Sequence, residues 1–190
     1  VDNLASFIEQ NRNNLMLCGE SCIGKSHFNN HNIKNQNVVH GNMAKTLDDI
    51  ELSEILRASS KSSKYIVTGK TGQLNKRDRR ISAEFARRVC DRSLEYCDLK
   101  IAKEKRKVII VLGAPYVVWK KRIKERKKNS TKASKGHLDH ISRTTFEQYI
   151  NNYTKYIKYL ITHRMSFILV DNRDNYSILD GQKFFEMLSE

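Results

Sequence analysis

Eight residues, Gly19-Glu20-Ser21-Cys22-Ile23-Gly24-Lys25-Ser26, set two glycines, a lysine and a hydroxyl at a spacing suited to a polyphosphate. Glycine at both ends of such a turn lets the chain wrap an anion with successive N–H groups pointing inward, and a helix beginning at Lys25 adds its positive end. Lys25 is then expected to neutralise the outer phosphates. The Ser26 hydroxyl is expected to complete the oxygen shell of a Mg²⁺ ion held between them. Gly19, Glu20, Ser21, Cys22, Ile23, Gly24, Lys25 and Ser26 together read as the site for ATP or a close relative. Cys18 and Cys22 flank and enter the turn, where small side chains are tolerated, and neither is assigned a catalytic role.

Arginines supply the second chemical signal. Arg122 and Arg126 lie four residues apart on a predicted helix and so share a face. Guanidinium forks hold the equatorial oxygens of a transferring phosphoryl group better than ammonium groups do. Arg143 is a third candidate further along. Both helical arginines fall within a run of nine cations between Lys120 and Lys135 that only Glu125 opposes. Another basic group, Lys70, Lys76, Arg77, Arg79, Arg80, Arg87, Arg88 and Arg92, precedes and enters a second predicted helix. Across the chain, 35 Lys and Arg against 21 Asp and Glu leave a net charge of +14. A solvated basic surface is one reading. Clustering favours the other, a nucleic acid whose condensed counterions are released on binding.

Short apolar runs are expected to position these residues as strands: Leu15 to Cys18, Val38 to Val39, Tyr65 to Thr68, Val108 to Leu112 and Phe167 to Val170. Being apolar without alternation, they suit a parallel sheet covered on both faces. Helical patterns lie between them at Lys25 to His31, Ile50 to Arg57, Ser82 to Ala102, Val117 to Lys128 and Thr145 to Thr162. The alternation indicates an α/β fold, a three-layer αβα sandwich around a five-stranded parallel sheet. In the last helix Tyr149, Ile150, Tyr153, Ile157, Leu160 and Ile161 form one apolar stripe, so its tyrosines read as core residues. Residues 128 to 143 are polar and basic without periodicity and read as a mobile loop, part of a lid spanning about 120 to 145. Length suits a single domain over 1–190. Cys18, Cys22, Cys90 and Cys97 lack the density of a disulfide scaffold or the spacing of a zinc site. No secretory start or membrane-length apolar run is present, so a soluble, cytoplasmic protein is expected.

The strand Val108 to Leu112 with Gly113-Ala114-Pro115-Tyr116, followed by Trp119, Arg122 and Arg126, resembles the fourth strand and lid helix of small P-loop kinases. Within that superfamily, residues Ile66 to Asn75 followed by Arg77, Arg79 and Arg80 resemble the corresponding segment of polynucleotide kinases. The stretch from Tyr153 to Asp171 also follows their pattern. This resemblance implies the strand order 2-3-1-4-5, ATP and Mg²⁺ as cofactors, and phosphorylation of a hydroxyl on nucleic acid. Arg77, Arg79, Arg80 and Arg143 would then hold the acceptor, and Arg122 and Arg126 the transferring charge. Related phage enzymes phosphorylate hydroxymethyluracil within DNA, a substrate that the basic balance would suit. One departure stands out: the family carries a catalytic aspartate just after the second strand, whereas Val38-Val39-His40-Gly41 has none. Asp48 and Asp49 follow later, either as the base or as N-cap and first-turn acids of the Ile50 helix. His40 is the fallback base, or else a turn residue. A nucleotide monophosphate kinase and a nucleic-acid-binding ATPase without an acceptor are the alternative functions.

Overall fold

The computed structural model describes residues 3–36, 38–41, 43, 106–173 and 175–190. These form one compact unit built from the two ends of the chain. The expected strand at Tyr65 to Thr68 and the helices at Ile50 to Arg57 and Ser82 to Ala102, and with them part of the single domain expected over 1–190, lie outside the described residues.

Asn3 opens helix α1 (Leu4–Asn11), its side-chain oxygen accepting from the Ala5 N–H at 2.9 Å. Strand β1 (Leu15–Cys18) is buried at every residue, as its continuous apolar sequence requires. After the Gly19–Ser26 turn comes a short helix α2 (Lys25–Phe28), which widens into a π-helical turn over Asn29–Ile33. Strand β2 (Val39–His40) then precedes β3 (Val108–Gly113), the long central strand. Helices α3 (Tyr116–Lys128), α4 (Lys132–Ser142) and α5 (Phe146–Thr162) follow in succession. The chain ends in β4 (Phe167–Asp171), β5 (Ile178–Leu179) and α6 (Gly181–Ser189).

The fold is α/β with a mixed sheet in the order β2-β1-β3-β4-β5. Its first four strands are parallel, while β5 pairs antiparallel with β4 through Leu169↔Leu179 and Val170↔Ile178. Two expectations are corrected here. The sheet is not wholly parallel, because after β4 the chain turns back within a few residues instead of crossing over a helix. Nor does a strand separate β2 from β1: Met16↔Val39 and Leu17↔His40 pair directly, so the order 2-3-1-4-5 is not that of the described strands.

The apolar stripe expected on α5 holds at Tyr149, Tyr153, Ile157 and Leu160, while Tyr156 joins the core from outside it and Ile161 leaves it. Tyr149, Tyr153, Tyr156, Ile157 and Leu160 are buried, whereas Ile161 is 63% exposed. Burial requires each phenol to find a partner. Tyr149 and Tyr153 donate to the Ala114 and Leu112 carbonyls, both at 2.7 Å, and Tyr156 donates to Cys18 Sγ at 2.8 Å. The Trp119 indole stacks on Tyr149 with centroids 4.6 Å apart, so α3 and α5 are joined over the end of β3. Residues 132–142, expected as an aperiodic loop, are helical. Their apolar signal is only Leu138 and Ile141, both buried three residues apart, and Gly136 with the neighbouring serines masks it. Among the described residues no helix is long and apolar enough to cross a membrane.

Candidate functional site

Between β1 and α2 the chain must reverse within six residues, and two glycines make the reversal possible. Gly19 has φ of 148°, and a Cβ there would lie 2.6 Å from the Leu112 carbonyl oxygen. Gly24, at the N-cap of α2, has φ of 105°, and its Cβ would lie 2.8 Å from Asn172 Nδ2. Cys22 also adopts a left-handed φ of 65°, which for a side chain with Cβ costs on the order of 1–2 kcal/mol. Such a turn persists only if its surroundings hold it.

They hold it through its carbonyl groups. Lys25 Nζ folds back and donates to the Gly19 and Glu20 carbonyls, both at 2.9 Å. Trp119 Nε1 donates to the Ser21 carbonyl at 2.8 Å. The Ile23 carbonyl receives Arg122 Nη1 at 2.7 Å and Asn172 Nδ2 at 2.6 Å. Four carbonyls of the loop are thereby directed onto side chains of α2, α3 and the end of β4. Side-chain contacts extend the same clasp: Asn152 Nδ2 donates to Glu20 Oε1 at 2.6 Å, His137 Nε2 lies 3.1 Å from Ser21 Oγ, and Arg126 Nη1 donates to Cys22 Sγ at 3.4 Å. Glu20 is buried at 4% exposure and faces α5, so its role in the loop is structural.

Beside the loop lies a cavity of about 380 Å³ lined by Ser21, Cys22, Gly24, Lys25, Ser26, His27, His40, Arg122 and Arg126. A second cavity of about 310 Å³ shares Gly24, His27 and Arg122 with it and adds Asn172, Arg173 and Tyr176. Asn172 is 3% exposed, and its Oδ1 has no hydrogen-bond partner among the described residues. Neither cavity has an Asp or Glu among its described lining residues, so Lys25, Arg122, Arg126 and Arg173 give the pair a cationic interior. Partial burial and then the charge of Lys25 hold the His40 imidazolium below the ordinary histidine range.

No family model, curated protein or solved structure matches the chain. What the loop holds must follow from its own atoms.

Most of the anticipated loop residues meet at the cavity, together with Arg122 and Arg126 from α3. Gly19, Glu20 and Ile23 line neither cavity; all three are buried. Arg143 is the exposed C-cap of α4 and lines neither cavity. Asp48, Asp49, Arg77, Arg79 and Arg80 lie outside the described residues. Contributors that the sequence does not assign include Trp119 and Asn172, which brace loop carbonyls, Asn152, which holds Glu20, His137 on α4, and His27 and Arg173 on the cavity walls. Asn172 had a usable signal, an amide placed directly after a buried strand end. His137 had none, because its contact depends on α4 being folded.

Proposed function

We propose that the protein is an ATP-dependent kinase that phosphorylates a hydroxyl on nucleic acid, at a DNA 5′ end or on a hydroxymethylated base such as 5-hydroxymethyluracil. The observation that carries this reading is one cavity with Gly24, Lys25 and Ser26 on its loop wall, Arg122 and Arg126 on its helix wall, and no carboxylate among its described lining residues. Four loop carbonyls engaged by side chains favour a turn that presents N–H groups to an anion, and the start of α2 adds a favourable field. In this reading the Gly19–Ser26 segment is a P-loop. Lys25 neutralises the β and γ phosphates, and the two guanidinium groups hold charge on the group in transfer. The Ser26 hydroxyl is a hard oxygen donor at the cavity wall and would hold Mg²⁺, which would supply positive charge to the phosphates. The adjoining cavity receives the nucleoside, where Asn172 Oδ1 offers an acceptor for an amino group.

Two features weigh against an ATPase lacking an acceptor. Such chemistry uses a strand-end carboxylate to orient water, and the described strand end that supplies one is Asp171. That side chain is held by Arg173 through Nε and Nη2 at 2.7 to 3.1 Å and lines neither cavity.

The deciding assay supplies γ-labelled ATP with Mg²⁺ to three acceptors: a 5′-hydroxyl oligodeoxynucleotide, hydroxymethyluracil DNA, and free deoxynucleotides or their monophosphates. Label is expected on an oligonucleotide, with acceptor affinity falling steeply as salt rises. Label confined to free nucleotides supports a nucleotide kinase instead, and phosphate released only to water supports an ATPase.

A further inference from the structure

Phosphoryl transfer to a hydroxyl requires a proton acceptor, and the described walls of both cavities contain no carboxylate. They contain two imidazoles. His27 sits on α2, two residues after Lys25, with its ring against His31 at a centroid distance of 4.0 Å, and it reaches both cavities. His40 comes from a different element and is fixed by it. The register Leu17↔His40 sets its main chain beside β1 immediately before the loop, and the Gly41 N–H donates to the Leu17 carbonyl at 2.7 Å. Two residues on, the Met43 N–H donates to the Gly19 carbonyl at 3.4 Å. The segment after β2 is therefore laced to the start of the loop, and His40 faces the same cavity as Lys25, Ser26, Arg122 and Arg126.

Resting on the kinase reading above, we propose that His40 is the general base of the transfer, a catalytic residue that contacts the acceptor hydroxyl. The hydroxyl oxygen forms its bond to the γ-phosphorus while the bond from that phosphorus to the β–γ bridging oxygen breaks, and ADP leaves with the electron pair. The hydroxyl proton passes to the imidazole nitrogen of His40 and from there to water. Placement supports the role in two ways. Among the described lining residues the charged groups, Lys25, Arg122 and Arg126, are all cations, and Cys22 and His27 are the other titratable groups. The ring is therefore neutral and able to accept near pH 7, partial burial and then Lys25 holding its imidazolium below the ordinary range. Once protonated, the ring is repelled by those cations and is exposed enough to release its proton.

The experiment follows single-turnover transfer from γ-labelled ATP to a 5′-hydroxyl oligodeoxynucleotide, using the full chain and its His40→Ala, His40→Gln, His27→Gln, Asp48→Asn and Asp49→Asn variants. Both His40 variants are expected to lose about a hundred- to ten-thousandfold in rate while retaining MgATP affinity. The acid limb of the wild-type pH profile, below about pH 6.5, is expected to disappear with them. Added imidazole is expected to restore part of the rate to His40→Ala. The inference is overturned if His40→Gln keeps the wild-type rate and acid limb, or if that limb is lost in the His27, Asp48 or Asp49 variant instead. A wild-type protein that binds MgATP and labels no acceptor defeats the kinase reading itself. Equal labelling by wild type and His40→Ala defeats the base assignment alone.

Discussion

The ends of β1 and β4 lie on the same side of the sheet, because both strands run parallel to β3 between them, yet their polar groups are used in opposite ways. Past Cys18, the loop carbonyls turn onto Lys25, Trp119, Arg122 and Asn172, and a cationic cavity opens beside them. Past Val170, Asp171 is 7% exposed and bound to Arg173, while Asn172 is spent partly on bracing Ile23. One strand end thus borders an open cationic cavity, while the other, across β3, serves as a brace. The carboxylate at the second end illustrates why residue type alone does not assign a role. Its partner guanidinium already occupies the oxygens that would orient a water.

The largest expected effect tests which end performs chemistry. Lys25→Met removes the charge that the proposed kinase reading assigns to the outer phosphates and is expected to lower phosphoryl transfer by about a hundred- to a thousandfold. Asp171→Asn loses a pair whose arginine is 41% exposed, so its stability cost is expected to be on the order of 1 kcal/mol, with transfer little changed. Steady-state rates and melting curves of the two variants make the comparison. Loss of activity in Asp171→Asn alone would exchange the roles given to the two strand ends.

A smaller effect separates the two arginines of α3. Arg122 joins two carbonyls, those of Ile23 and Asn172, each at 2.7 Å, and so ties the loop to the end of β4. Arg126 is exposed, and among the described residues it donates to the Cys22 thiol at 3.4 Å. Hydrogen bonds from charged donors contribute about 1.5–3 kcal/mol each. Because these hydrogen bonds are only partly buried, Arg122→Ala is expected to cost about 2 kcal/mol, or about 4–8 °C in Tm. Arg126→Ala is expected to melt close to wild type while still losing transfer. Equal melting shifts in the two variants would remove the bracing function from Arg122.

How much of this was legible before folding depends on where each signal resides. The two glycines, Lys25 and Ser26 lie within eight residues, and the conformation they dictate is local, so the loop could be read directly. Strands β1, β3 and β4 announce themselves by continuous apolar runs buried on both faces. The clasp on the loop is different in kind. Trp119, Arg122, Asn152 and Asn172 lie about a hundred or more residues from the carbonyls and carboxylate they bind, and only the sheet order brings them there. Helices α1 and α6 went unread because each is short, and α4 because its core contribution is two residues. The antiparallel β5 has two residues and no periodicity to detect.

The smallest effect concerns α4, the helix hidden from sequence, and asks whether it belongs to the braced region. Asp139 pairs with Lys127 of α3, while Lys120 donates to the carbonyl of Ser142 and His137 touches Ser21 of the loop. The hydrogen bond from Lys127, reinforced by the charges of Lys127, Arg143 and Lys135, holds the Asp139 carboxyl below the ordinary aspartate range against an opposing desolvation effect. A carboxylate with a folded pKa below its unfolded one stabilises above the unfolded pKa, and that contribution fades as pH falls through the folded value. Amide exchange across α4 is therefore expected to quicken as pH drops below about 4, beyond the intrinsic pH dependence of exchange. In Asp139→Asn this extra step is expected to vanish, with exchange already raised at neutral pH. An unchanged step in that variant would mean that another carboxyl anchors α4, and the Lys127 pair would then be a surface contact with no share in holding the helix over the loop.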